Sequence, residues 1–234
     1  MKRFYRDVAV APSGDGWQVE LDGRGVRSQA RRLPQTVPTR KLAELLAAEW
    51  SEQGETIDPA RFVMRDLADY AIDVVQSDRA AAVERLLPYA QTDTLCYRAD
   101  PDEPLYRRQA EVWNPLLDRI ADRLSITLAP RSGIVHKPQP DEAMAAARDR
   151  LHALDDFALA ATENMTPLAA SLGIALLALE PDADIDALWN AAELEEAWQR
   201  EQWGTDVEAE KRGELRRAAF TAAAQFAAAA RATD

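Results

Sequence analysis

The side chains able to do chemistry are few and scattered. There are two histidines, His136 and His152, and one cysteine, Cys96. His152-Ala153-Leu154-Asp155 puts an imidazole and a carboxylate on one helical face, with Asp156 next to them. A metal-dependent hydrolase built on His152, Asp155 and Asp156 is therefore the enzymatic alternative. A zinc or two-metal site takes three or four ligands, so the rest would have to come from elsewhere in the chain. Structural roles are the simpler reading of both histidines. Cys96 follows Thr94-Leu95, with no basic residue before Arg98 to lower its pKa, and reads as a buried, inert thiol. No Gly-x-Ser-x-Gly, Walker-type or Gly-x-Gly-x-x-Gly motif occurs among the nine glycines, and Gly14-Asp15-Gly16 and Gly23-Arg24-Gly25 read as turns. No catalytic residue, metal or cofactor is expected.

Binding chemistry is more legible than catalysis. Residues Glu180 to Glu201 hold eight Asp or Glu against one basic residue, Arg200. On one continuous helix, Ile185, Leu188, Trp189, Ala192, Gln199 and Trp203 share a face, and Ala187, Ala191, Leu194 and Trp198 form a second stripe. Glu196 then falls inside the first stripe and Glu195 on its border, so at least one carboxylate must find a donor beside large apolar groups. Two readings stand: an amphipathic core helix whose acids cap or pair internally, or a helix that offers Glu195, Glu196, Trp198, Gln199 and Trp203 to a partner. Aromatic anchors around a polar specificity group are what interfaces use.

The elements that must position these residues are mostly helices. The 234 residues suffice for one large domain or two small ones, and about a fifth are Ala, the strongest helix former. Strand signals concentrate at the start. Tyr5 to Val10 and Trp17 to Leu21 alternate apolar with polar residues across a Pro-Ser-Gly-Asp-Gly turn, and Asp22-Gly23 predicts a second tight turn into a sheet of three or four strands. Thr39 is a good N-cap for a helix through Leu42, Leu46 and Trp50, which Gly54 ends. Further helices are expected over about 59–75, 78–89, 103–123, 141–154, 155–179, 184–203 and 206–230. A second short hairpin is expected from 125–128 and 133–136.

Charge and hydropathy restrict the partners. Residues 1–40 carry eight basic and four acidic groups, a local +4 on a chain whose net charge is −12. The other 194 residues therefore hold −16, which repels phosphate backbones and anionic lipid, so neither nucleic acid nor a membrane surface is an expected partner. The best apolar run, Leu168 to Leu179, falls short of the roughly 20 residues a membrane span needs. One cysteine, no apolar leader, and a strand signal beginning near Phe4 lead to the expectation of a cytoplasmic protein.

Several segments, in order, resemble the F1-ATP synthase assembly chaperones that act on the alpha subunit: Phe4-Tyr5, Trp17 to Arg24, Val37 to Arg40, Ala48 to Gly54, Ile57-Asp58-Pro59 and Thr92 to Arg98. The most specific match is Ala192-Glu193-Leu194-Glu195-Glu196-Ala197-Trp198-Gln199, followed by Gln202-Trp203-Gly204. Gly25 to Gln29 and Glu163 to Pro167 depart from the family's usual text. The resemblance implies an α+β fold, with a small antiparallel β-rich N-terminal domain (1–75) followed by an orthogonal, mainly helical bundle (76–234). It implies a non-enzymatic chaperone, monomeric when free, that covers the alpha-subunit surface later met by the beta subunit. Bacterial members would be cytoplasmic. The family's critical acidic residue falls on Glu195 and its helix-borne tryptophan on Trp50, although Trp50 also continues the buried Leu42/Leu46 row.

Overall fold

The computed structural model describes residues 1–133 and 137–233, which divide into two compact units. The first comprises residues 1–79, 155–161 and 222–234, and the second residues 80–154 and 162–221.

In the first unit the period-2 pattern becomes a three-stranded antiparallel sheet in the order β1 (Val8–Ser13), β2 (Gly16–Leu21), β3 (Arg24–Gly25). Register runs from Val8 opposite Leu21 to Ser13 opposite Gly16, leaving Gly14-Asp15 as a two-residue loop. At the second turn Asp22 and Gly23 both have positive φ, 50° and 74°, as a hairpin turn matched to strand twist requires. Val19 and Leu21 point inward onto α1 (Arg40–Ser51), whose Leu42, Ala43, Leu46 and Trp50 are buried. Thr39 is the N-cap: its Oγ1 accepts from the Leu42 amide at 3.1 Å and donates to the Ala229 carbonyl at 2.6 Å.

The expected helix over 59–75 is three pieces: a 3-10 turn at Pro59–Arg61, α2 (Val63–Tyr70) and a π-helical turn at Ala71–Val75. Phe62, with ψ 63°, breaks it, and the Glu49 carboxylate caps the restart by accepting from the amides of Met64 (2.6 Å) and Arg65 (2.9 Å).

The second unit is mainly helical: α3 (Arg79–Gln91) from Ala80 on, α4 (Pro104–Leu124), α5 (Asp141–His152), α7 (Leu172–Leu177), α8 (Ile185–Ala192), α9 (Leu194–Trp203), most of α6 (Asp156–Ala169) and the first part of α10 (Val207–Ala230). The expected second hairpin is not formed by 125–128. Ile126 and Leu128 are buried and Thr127 exposed, as alternation predicts, but among the described residues the segment has no strand partner. Ser125 closes α4 in the left-handed region, and the Gln139 side chain takes the hairpin's place by pairing with both the N–H and the carbonyl of Ala129. The strand that does form, β5 (Arg131–Ser132), runs parallel to β4 (Tyr97–Arg98). Residues 134–136, including His136, lie outside the described residues.

The expected helix over 155–179 breaks at Ala170 (φ 48°), and Ser171 caps α7. The break delivers the α7 N-terminus to Asp93, which is fully buried and accepts from the amides of Gly173 (2.9 Å) and Leu95 (3.1 Å). Burial nevertheless pushes the Asp93 carboxyl up to about 6. Burial and the neighbouring Asp93 charge push the Cys96 thiol up to about 12, as suits an inert core cysteine. A raised folded-state pKa means stability that is full below the unfolded carboxyl value and lost as pH rises through about 6. Denaturant unfolding is therefore expected to show the protein about 1 kcal/mol more stable at pH ~5 than at pH ~7. The difference should shrink in Asp93→Asn, whatever that change costs outright.

Candidate functional site: the corner of helices α8, α9 and α10

The segment singled out in sequence is not one helix. It turns at Glu193 (φ −88°, ψ 13°), which ends α8 and begins α9, so the wheel that placed Glu196 deepest no longer applies. Glu196 is exposed, Glu195 half-buried, and the buried carboxylate is Glu193, at 8% exposure. This corrects the expected order of the acids. The change of helix axis rotates α9 against α8 and carries Glu196 to the outside.

Glu193 takes the role the pattern demanded of some carboxylate. Its Oε1 lies 3.1 Å from Arg216 of α10 and its Oε2 3.7 Å from Arg200 of α9, so one side chain ties the two helices together. Burial, followed by the negative charge of Glu196, raises its pKa, and the two guanidinium groups oppose the shift. Arg216 also lies 5.6 Å from the centre of the Trp189 ring, and donates to the Leu168 carbonyl at 2.6 Å. Trp189 in turn packs on Phe220 with ring centres 5.4 Å apart.

Glu195 faces inward. Its Oε1 accepts from Gln109 Nε2 at 2.6 Å, and fully buried Gln109 uses its own oxygen to accept from the Ala99 amide at 2.9 Å. Desolvation raises the Glu195 pKa against the Gln109 hydrogen bond. Beside it, Trp113 donates to the Ala191 carbonyl at 2.8 Å. Trp198 is half-buried with the Arg108 guanidinium 5.7 Å from its ring centre, and Arg108 makes a two-pronged ion pair with Glu201.

What remains on the outside is Glu196, Gln199 and above all Trp203, 79% exposed at the end of α9. They line a groove of about 530 Å³ that continues along Arg200, Arg212 and Arg216. Val207 and Leu215 on α10 are also exposed, at 78% and 64%. Trp50 is elsewhere. It is buried in the first unit between Tyr5 and Phe62, with ring centres at 5.5 and 4.5 Å. Sequence reasoning did not single out Arg216 or Arg108, since only the fold brings them to α9. Glu193 was inside the matched motif but carried no distinguishing mark.

Two of the three residues of the enzymatic alternative have structural uses. Asp155 caps α6 by accepting from the Ala158 amide at 2.8 Å, and Asp156 pairs with Arg79 at 2.5 Å. His152 is exposed at the end of α5. Among the described residues, no group of three His, Cys, Asp or Glu is placed to hold a metal ion, and no helix is long and apolar enough to cross a membrane.

The family model for the ATP12 chaperone protein matches residues 2–121. Atp12 from Paracoccus denitrificans is 33% identical, superposes with a TM-score of 0.92, and is matched over 98% of both chains. An aspartate-to-lysine variant of Atp12p from the same organism gives 33% identity and 0.93 over the same coverage. The Atu1473 protein of Agrobacterium tumefaciens is 37% identical with a TM-score of 0.91, matched over 97% of this chain and 85% of its own. With both the sequence model and whole-chain structural likeness above 30% identity in agreement, the chain belongs to the ATP12 chaperone family of ATP synthase assembly factors.

Proposed function

We propose that the protein binds the unassembled alpha subunit of F1-ATP synthase and covers the surface that the beta subunit later occupies. The observation that carries this reading is the exposed Trp203 beside a charged groove, in a chain of the ATP12 chaperone family. A free subunit of an alternating ring exposes apolar interface that aggregates unless covered, and its cover must leave when the true neighbour arrives. One aromatic anchor with a polar rim suits such moderate, reversible binding. Glu196, Gln199 and Trp203 form the contact surface in this proposal. Glu195 and Trp198 hold that surface in place from beneath, and Trp50 supports the first unit. The role needs no cofactor and no covalent chemistry, and we place the protein in the bacterial cytoplasm as a monomer when free.

The test is to follow light scattering of isolated alpha subunit with and without the protein, then add beta subunit. Suppressed aggregation, a complex that co-migrates on size exclusion, and release on adding beta are the expected results. Aggregation at an unchanged rate, or a complex that beta does not displace, overturns the reading.

A further inference from the structure

A second surface, on the first unit, is built for a different chemistry. From Gly23 to Ala43 the chain has six basic residues and no acidic one, in a protein with 40 acidic and 28 basic groups. Arg24, Arg27, Arg31 and Arg32 are exposed, and among the described residues none of the four makes an ion pair. Two of them are steered by their own backbone instead: Arg27 donates to the Arg32 carbonyl at 2.8 Å and Arg31 to the Ile72 carbonyl at 3.4 Å.

The loop that carries them is rigid by construction. Ser28 is buried, its amide donates to the Leu33 carbonyl at 2.9 Å, and its hydroxyl accepts from the Leu33 amide at 3.2 Å. Asp73, presented by the π-helical turn, accepts from the Ser28 hydroxyl (2.6 Å) and from the amides of Ala30 (2.8 Å) and Arg31 (3.2 Å). Such turns recur at functional sites. Arg32 is held at φ 58°, a conformation a non-glycine residue adopts only where its surroundings impose it. The nearby acids are engaged: Asp73 in the loop, Asp66 with Arg65 at 2.6 Å, and Asp22 with the amides of Arg6 and Asp7. The guanidinium groups are thus displayed on an ordered loop without a direct ion pair, with Asp73 and Asp22 acting only at longer range on Arg31 and Arg24.

We propose that residues 24–32 form a preorganised cationic dock for a carboxylate-rich protein segment. A guanidinium fork matches a carboxylate in shape and charge, and ordering the loop in advance lowers the entropic cost of binding. A short segment with a few carboxylates matches arginines gathered within nine residues of chain. A nucleic acid or an anionic bilayer is extended and densely charged, and would meet the −16 carried by residues 41–234. The dock is independent of the α9–α10 surface and of the client proposed for it.

The test titrates a fluorescent oligo-glutamate peptide with the full chain and reads anisotropy. At about 50 mM salt the wild-type protein is expected to bind, and the triple variant Arg27→Glu, Arg31→Glu, Arg32→Glu to bind about tenfold or more weakly. The corresponding triple Gln variant should fall between them, and salt at about 500 mM should erase the differences. Arg27→Glu and Arg31→Glu each lose a hydrogen bond to a backbone carbonyl, and Arg31→Glu adds a like charge near Asp73, so the thermal midpoint of each variant is read first, and if the Glu variant misfolds the Gln variant decides. No wild-type binding, affinity indifferent to the arginines, or tighter arginine-dependent binding of duplex DNA or phosphatidylserine vesicles overturns the proposal.

Discussion

Glu193→Lys is expected to unfold the α8–α9–α10 corner at temperatures where the wild-type protein is intact. The substitution removes the carboxylate that joins Arg200 and Arg216 and sets a third positive charge between them, at a position only 8% exposed. Breaking a buried pair by losing one partner costs about 3 to 5 kcal/mol. Both arginines keep roughly two fifths of their side-chain surface in water (38% and 41%), so solvent screening reduces the expected loss to about 2 to 4 kcal/mol. For a chain of this size that lowers the thermal midpoint by roughly 5 to 15 °C. Glu193→Gln should lose less, because it restores the volume and one acceptor without the added charge. Calorimetry of the three proteins settles the matter, and a midpoint within a degree of wild type for Glu193→Lys would show that the arginines find solvent or other partners at no cost.

Trp203→Ala together with Glu196→Lys is expected to do the opposite: leave the fold intact and abolish capture of the alpha subunit. Both side chains are exposed, and surface changes of this kind usually move stability by about 0.5 kcal/mol or less. An aromatic anchor at an interface is worth about 2 kcal/mol or more, and reversing a matched charge adds repulsion to lost attraction. The pair should therefore weaken binding by about a hundredfold or more. Titration of labelled alpha subunit, with the thermal midpoint as control, measures both quantities. Glu195→Lys separates the surface from its support. It strips buried Gln109 of its acceptor, so it should cost about 1 to 3 kcal/mol of stability, with any loss of binding following from that. Unchanged binding in the double variant would move the contact surface away from α9.

How much of this was readable in the sequence follows from the range of each signal. The hairpin, the Asp22-Gly23 turn and the Thr39 cap rest on residues adjacent in the chain and form there, although β1 runs three residues later than the Tyr5 to Val10 pattern and the expected Pro12 to Gly16 turn shortens to a Gly14-Asp15 loop because Pro12 and Ser13 join the ladder. The α+β class, the chaperone family and the net charge are likewise properties of composition and of contiguous motifs. Helix continuity was not readable. Glu193 sits in a stretch of unbroken helical propensity, while Pro167, Ser171 and Gly173 mark the earlier break only weakly, and what the two breaks serve is distant in sequence: buried Asp93 takes the α7 amides, and Glu193 reaches Arg200 and Arg216. The candidate surface divides in the same way. Sequence alone brought Glu195, Glu196, Trp198, Gln199 and Trp203 into one segment, since a motif is local. Which of them faces Gln109, which stacks against Arg108 and which meets solvent depended on residues about 90 positions away in α4, so only the tertiary structure could decide it.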